Sequence, residues 1–173
     1  MLKGQLVYLR ALEPQDVDFI LKCENDAENW RISQTLVPFS RHIIEKYVNS
    51  DQDLFTYRQI RFVICALAND KPIGTIDLFD YDPINLRAGI GILIIDSERR
   101  NGFAKESLEL CIKYCFDHLL LNSLFCNILE SNKQSLELFK KAGFGVVGTK
   151  REWIKTDQGW KDEILLQKVK DGK

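Results

Sequence analysis

Apolar residues fall along this chain in two recurring periods, and the change from one to the other outlines its elements. Residues 5–9, Gln-Leu-Val-Tyr-Leu, read as a first strand. Glu13 and Pro14 then open a helix that places Val17, Ile20 and Leu21 on one face. A polar, less periodic stretch covers 25–40, and a second short helix is predicted over 41–49. Three strands follow at 61–67, 72–80 and 86–95, with Asn69-Asp70 as a hairpin turn between the first two. The clearest helix comes next: Ala104, Ser107, Leu108, Cys111, Ile112, Cys115, Phe116 and Leu119 keep helical spacing throughout. A strand at 124–129 leads to a helix at about 133–142, with Ser135, Leu138, Phe139 and Ala142 on one face and Gly143 placed to end it. Two last strands, 145–154 and 160–169, flank Asp157-Gln158-Gly159. The predicted order β-α-α-β-β-β-α-β-α-β-β calls for a mixed sheet with helices on both faces.

Composition narrows the function classes. At 173 residues, 45% hydrophobic and 28% charged, the chain suits one globular domain over 1–173. A formal net charge of −1 argues against a dedicated nucleic-acid binder. No apolar run reaches membrane-spanning length and no signal peptide follows Met1, so no membrane partner and a cytoplasmic location are expected. The five cysteines are odd in number and form no Cys-x-x-Cys pair, which reads as buried free thiols. Cys111 and Cys115 share a helix face, but His42 and His118 are the only histidines available to join them; core filling is expected and a metal is not.

Two stretches carry candidate chemistry. Arg99-Arg100-Asn101-Gly102-Phe103-Ala104 follows the strand-forming run 90–95 and opens the longest helix. A basic, glycine-containing strand-to-helix turn makes a nest of backbone N–H groups at the positive end of a helix dipole, suited to an anion such as a pyrophosphate. Basic residues oppose the dipole there, so Arg99 and Arg100 are best explained by a bound anion, although solvated charges and a plain tight turn at Gly102 are the simpler alternatives. The second stretch is Asn132-Lys133-Gln134-Ser135-Leu136-Glu137-Leu138-Phe139-Lys140-Lys141-Ala142-Gly143-Phe144. Asn132 is a reasonable N-cap with or without a ligand, and Phe139 fits a packing role.

Arg-x-x-Gly-x-Ala resembles the Arg/Gln-x-x-Gly-x-Gly/Ala motif with which GCN5-related N-acetyltransferases (GNATs) grip the diphosphate of acetyl-CoA. The second stretch resembles that family's Asn-x-x-Ser-x-x-Leu-Tyr/Phe-x-x-x-Gly-Phe. Leu9-Arg10-Ala11-Leu12-Glu13-Pro14-Gln15-Asp16 looks like the opening of the branch containing ribosomal-protein N-terminal and spermidine acetyltransferases, and 157–163 looks like its last hairpin. The resemblance spans essentially the whole chain. It implies an α/β (α+β) GNAT fold with a mixed, mostly antiparallel central sheet, acetyl-CoA as cofactor, and transfer to a primary amine on a polyamine, another small molecule or a protein N-terminus. It also implies that Arg99, Arg100, Asn101, Gly102, Phe103, Ala104 and Lys105 hold the diphosphate. Ile92, Leu93 and Ile94 would align the pantetheine, with Asn132, Ser135 and Phe139 beside it. Pairing into a homodimer or larger homo-oligomer is a further expectation.

The acceptor amine must be neutral to attack. At pH 7 that costs about 4.6 kcal/mol for a lysine-like amine and about 1 kcal/mol for an α-amine. The resemblance places an oxyanion donor among the backbone N–H groups of 91–95. Two departures stand out. Phe139 occupies a position that is tyrosine in many spermidine-type relatives, and a phenyl ring donates no proton, so the thiolate takes its proton from water or another residue serves. Residues 87–91 lack the carboxylate that relatives often carry. Asp77, which alternates with Ile76 and Leu78, and Glu130, at the end of the next strand, are the candidate bases or amine-binding groups, each with a solvated-carboxylate alternative. No nucleophilic triad is readable, so direct transfer is expected. Residues 13–28 carry Glu13, Asp16, Asp18, Glu24, Asp26 and Glu28 against Lys22, a bias that suits a cationic acceptor or simply a solvated face. Trp30, Tyr81 and Trp153 are candidate wall residues. The rival classes are a non-catalytic acyl-CoA sensor and a nucleotide-binding module, the latter lacking the usual phosphate-loop motifs.

Overall fold

The backbone pairs into one 8-stranded sheet of order β1-β2-β3-β4-β5-β6-β8-β7. The computed structural model describes residues 2–33 and 35–170. β1 (Leu2–Lys3) and β2 (Val7–Ala11) precede the helices α1 (Val17–Glu24), α2 (Ala27–Ser33), α3 (Arg41–Val48) and α4 (Leu54–Tyr57). β3 (Ile60–Ala66), β4 (Pro72–Asp82) and β5 (Arg87–Ile94) form a meander that feeds α5 (Phe103–Lys113). β6 (Ser123–Leu129), α6 (Lys133–Lys141), β7 (Gly145–Thr156) and β8 (Gly159–Val169) complete the chain. Neighbouring strands are antiparallel except β5 and β6, which run parallel and are connected through α5. The expected mixed, mostly antiparallel sheet with helices on both faces is present.

Strand alternation sorts the core into two layers. Val7, Leu9, Ile64, Ile76, Leu78 and Ile90 face α5 and α6, meeting Leu108, Cys111, Leu136 and Phe139. Tyr8, Val63 and Cys65 face the other way, against Val17, Ile20, Ile44 and Val48 of α1 and α3. The start of α1 is fixed by a part-buried ion pair: the Arg10 guanidinium donates to both oxygens of the buried Asp16 at 2.6 and 2.8 Å, while the Glu13 N–H donates to Asp16 Oδ2 at 2.9 Å.

Several expectations need correction. The first long strand begins at Val7 rather than residue 5, because the N–H groups of Gln5 and Leu6 bond to Glu106 instead of to a strand. The polar stretch 25–40 contains α2, whose start is organised by Asp26, and residue 34 of that stretch lies outside the described residues. α4 was not expected; Asp53 caps it by accepting from the N–H groups of Phe55 and Thr56. On α1, Cys23 is buried beside Val17 and Ile20 while Leu21 is only partly covered. On α6 the buried positions are Leu136 and Phe139, and Ser135 is partly exposed. The long helix does not stay α-helical to Leu119. It loosens at Tyr114–His118 into a π turn, with the Leu119 N–H donating to Tyr114 O at 3.1 Å. Lys170 Nζ donates to the Phe116 carbonyl at 2.5 Å and so caps that end.

All five cysteines are buried free thiols. Cys111 and Cys115 hydrogen-bond each other, and that bond together with burial pushes the Cys111 thiol well above its ordinary range. Among the described residues no group of His, Cys, Asp and Glu could hold a metal ion, and no helix is long and apolar enough to cross a membrane.

Candidate active site

The site begins where the sheet stops being continuous. β5 and β6 pair only at Arg87↔Ser123, Ala88↔Leu124 and Gly89↔Phe125. Beyond these pairs, β5 runs on to Ile94 against β4, and β6 runs on to Leu129 against β8. The two strands therefore open a wedge with no strand-to-strand pairing across it. The edge of β5 from Ile90 to Ile94, including the candidates Ile92, Leu93 and Ile94, is free to bond an extended ligand as a strand would. At the apex, the Phe79 ring lies over Gly89 and meets Phe125 edge-on, with centroids 5.7 Å apart. A Cβ on Gly89 would stand 2.2 Å from that ring, so any larger residue there forces the Phe79 ring out of its place over the strand.

The loop beyond β5 has the shape expected of an anion cradle. Arg100 and Gly102 are left-handed, at φ 66° and 82°, and Gly102 is the N-cap of α5. The first intrahelical bond runs from the Glu106 N–H to Gly102 O, which leaves the N–H groups of Phe103, Ala104 and Lys105 without helical partners. Arg99 turns back on its own loop: its Nε donates to Ile94 O at 3.1 Å and its guanidinium pairs with Asp96 at 2.6 Å. Arg99 thus shapes the turn, whereas Arg100 is exposed at the mouth. Asn101 Nδ2 donates to Glu98 O at 3.3 Å, and Lys105 lies 3.8 Å from Glu109.

Across the wedge, Asn132 caps α6 by accepting from the Ser135 N–H at 3.1 Å. Phe139 is 2% exposed and packs edge-on against Phe144 at 5.1 Å, as core packing requires.

The two candidate carboxylates do not meet, since β5 separates β4 from β6. Asp77 is opposite Gly91 in the register, on the face away from Ile76 and Leu78. Arg61 grips it in a two-pronged pair, Nε to Oδ1 at 2.7 Å and an NH2 group to Oδ2 at 2.9 Å. The same guanidinium pairs with Glu24 and lies 5.6 Å over the Tyr47 ring. Glu130 is exposed beyond β6, its N–H bonded to Asp162 O at 3.0 Å.

A cleft of about 650 Å3 opens on the same face as Asp77, lined by Phe125 and Asn127 of β6 with Arg58, Tyr81, Lys150 and Leu165. Lys150 is fixed by Asn127 Oδ1 at 2.8 Å and by the buried Glu163 at 2.9 Å. Of the expected wall residues, Tyr81 lines this cleft and Trp153 stacks over Lys150 at 5.2 Å. Trp30 is tied by its indole N–H to Glu24 O at 2.6 Å. Sequence reasoning missed Arg61, Lys150 and Glu163, because each acquires its role through a partner far away in the chain.

The acetyltransferase (GNAT) domain family matches residues 7–145. The chain belongs to this family. Its relatives include a probable N-acetyltransferase of Bacillus subtilis, YjcK, 24% identical over 172 residues that cover 96% of this chain and 95% of the relative. The spermidine N(1)-acetyltransferase of Escherichia coli is 24% identical over 147 residues, covering 82% of this chain and 74% of that one. In fold, the chain is similar to the spermidine N-acetyltransferase of Vibrio cholerae crystallised with CoA and spermine, with a TM-score of 0.87 at 22% identity over 96% of each chain. This GNAT chain is therefore an N-acetyltransferase that uses acetyl-CoA. The left-handed Gly102, the free helix-start amides and the open edge of β5 are groups that could hold an anion and an extended amide-bearing arm. Nothing in the comparisons favours the sensor or nucleotide-binding readings.

Proposed function

We propose that residues 1–173 act as one acetyltransferase unit that modifies a primary amine of a polyamine or similar small cation by direct attack on acetyl-CoA. The observation that carries this reading is the junction of the wedge with the cradle: one open strand edge leads, through the short turn at Asp96–Glu98, to one left-handed helix start. In it, Gly102 to Lys105 hold the diphosphate by backbone N–H groups, helped by Arg100 and Asn101, and the edge Ile92–Ile94 takes the pantetheine. Asn132 and Ser135 border the opposite bank. Acetyl-CoA supplies the thioester that the amine attacks.

Asp77 serves as the amine anchor rather than as a free base, because Arg61 occupies both of its oxygens. Glu24 and Asp77 share the single Arg61 guanidinium, so the trio carries one surplus negative charge, which an incoming ammonium balances. Three of the relatives bear the name spermidine N(1)-acetyltransferase, in keeping with a polyamine. Glu130 stands outside this arrangement and, with Asp77 an anchor, is the remaining candidate to take the proton of the attacking amine. Phe139 offers no proton, so water protonates the departing thiolate, a tolerable leaving group.

Association of copies through β7 is supported by its place at the end of the sheet and by exposed Val146, Val147 and Trp153. A Vibrio cholerae relative is described as dodecameric. A cytoplasmic setting agrees with five free thiols.

The deciding experiment is calorimetric titration with acetyl-CoA, followed by turnover on polyamines, amino acids and peptide N-termini. Tight binding with polyamine turnover supports the reading. Absence of binding overturns it, and turnover confined to peptide N-termini replaces the acceptor.

A further inference from the structure

Glu106, in the first turn of α5, is the most heavily engaged carboxylate beside the cradle, and the acetyl-transfer chemistry does not use it. Its side chain reaches across about a hundred residues of sequence to the turn before β2. The Gln5 N–H donates to Oε1 at 2.8 Å, and the Leu6 and Val7 N–H groups donate to Oε2 at 2.7 and 2.8 Å. The Gly4 N–H closes the turn on Val7 O at 2.9 Å. A Cβ at Gly4 would stand 2.5 Å from the Glu106 carboxyl carbon, so any larger residue there pushes the carboxylate off its present position. The turn also meets the cradle: a Cβ built on Gly102 would be 3.5 Å from Leu6 Cδ1.

Electrostatics make this placement informative. A carboxylate one turn from a diphosphate site opposes the anion unless its charge is met elsewhere. Burial pushes the Glu106 carboxyl up, but three backbone donors outweigh it and hold the group below its ordinary range. The charge is thereby held on the strap, away from the cradle.

We infer that Glu106 is a positioning residue for acetyl-CoA: it straps residues 4–7 to α5 and so holds Gly102 and the helix-start amides in the left-handed arrangement that receives the diphosphate. The inference rests on the diphosphate reading of the cradle.

Two variants disturb the strap from opposite sides. Glu106→Gln turns an NH2 group toward a backbone N–H, leaving one donor without an acceptor. Gly4→Ala displaces the carboxylate while keeping its charge. Each is expected to raise the KM and Kd for acetyl-CoA about tenfold, with kcat and the acceptor KM within about twofold, and the double variant is expected to add little. The decisive readout is S-acetylpantetheine, which lacks the diphosphate: its kcat/KM is expected to stay the same in wild type and variants. An equal loss with both donors, or a lowered thermal midpoint with unchanged acetyl-CoA affinity, overturns the inference and leaves Glu106 a purely structural tie. Gly102→Pro separates the two levels. If it abolishes acetyl-CoA binding while the strap variants bind normally, only the role of Glu106 falls; if it binds normally, the cradle reading falls and takes the inference with it.

Discussion

The bank of the wedge proposed to meet the cofactor and the face proposed to meet the acceptor are made of different materials. From Ile90 to Lys105 the functional groups are backbone amides, set by a strand edge, two left-handed residues and a helix start. On the acceptor face they are side chains paired between distant elements: Glu24 of α1 and Asp77 of β4 on Arg61 of β3, and Asn127 of β6 and Glu163 of β8 on Lys150 of β7. Backbone sites depend on local conformation and tolerate change in most side chains. Paired side-chain sites fail when one partner is lost, because the other charge is left desolvated and alone.

The sharpest way to break this contrast is Gly102→Pro. Proline holds φ near −65° and cannot take the +82° found here, so acetyl-CoA affinity is expected to fall by about a hundredfold or more in calorimetry, with the fold retained by circular dichroism. Next in size is Arg61→Met, which strands two carboxylates on the acceptor face. The acceptor KM is expected to rise by more than tenfold and the thermal midpoint to fall, while acetyl-CoA affinity at 25 °C is unchanged. Asp77→Asn keeps the shape and removes one charge. An acceptor KM raised about tenfold, again with cofactor affinity intact, marks an anchor, whereas kcat and KM both unchanged remove Asp77 from the site.

A smaller effect separates the strap from both regions. The Glu106 carboxyl titrates lower in the folded chain than its ordinary 4.5, so its contribution to stability is complete above that value and is lost as pH falls through the depressed range. Thermal midpoints of the wild type are expected to drop more steeply below about pH 4.5 than those of Glu106→Gln. Smallest of all is Trp153→Ala at the exposed end strand: chain stability is expected to stay within about 0.5 kcal/mol, and the change to appear only as dissociation of copies in sedimentation.

The cofactor side was legible because its demands are local. Gly102, three residues after Arg99 and at the foot of an amphipathic helix, states its conformation within six residues, and Asn132 announces the α6 cap just as directly. The acceptor side was not. Asp77 stood out only as a carboxylate between Ile76 and Leu78; its partner lies 16 residues away and Glu24 a further 37 from that partner. α2 and α4 escaped notice because Asp26 and Asp53 start them without an apolar stripe long enough to show a period.

Periodicity and short-range backbone preference, read from the chain alone, determined the order of the longer elements, the helices on both faces of the sheet and the turn at Gly102, while two short motifs carried the resemblance to the family. Those properties depend on neighbours within one or two turns, which any stretch of sequence displays. Only the tertiary structure decided where β5 and β6 part, that Arg99 folds back to Ile94 and Asp96, that Arg61 takes Asp77 for itself, and that Glu106 reaches the turn at 4–7. Each of these is a hydrogen-bond partnership settled by register and by the crossing of elements far apart in sequence, so no local pattern specifies it.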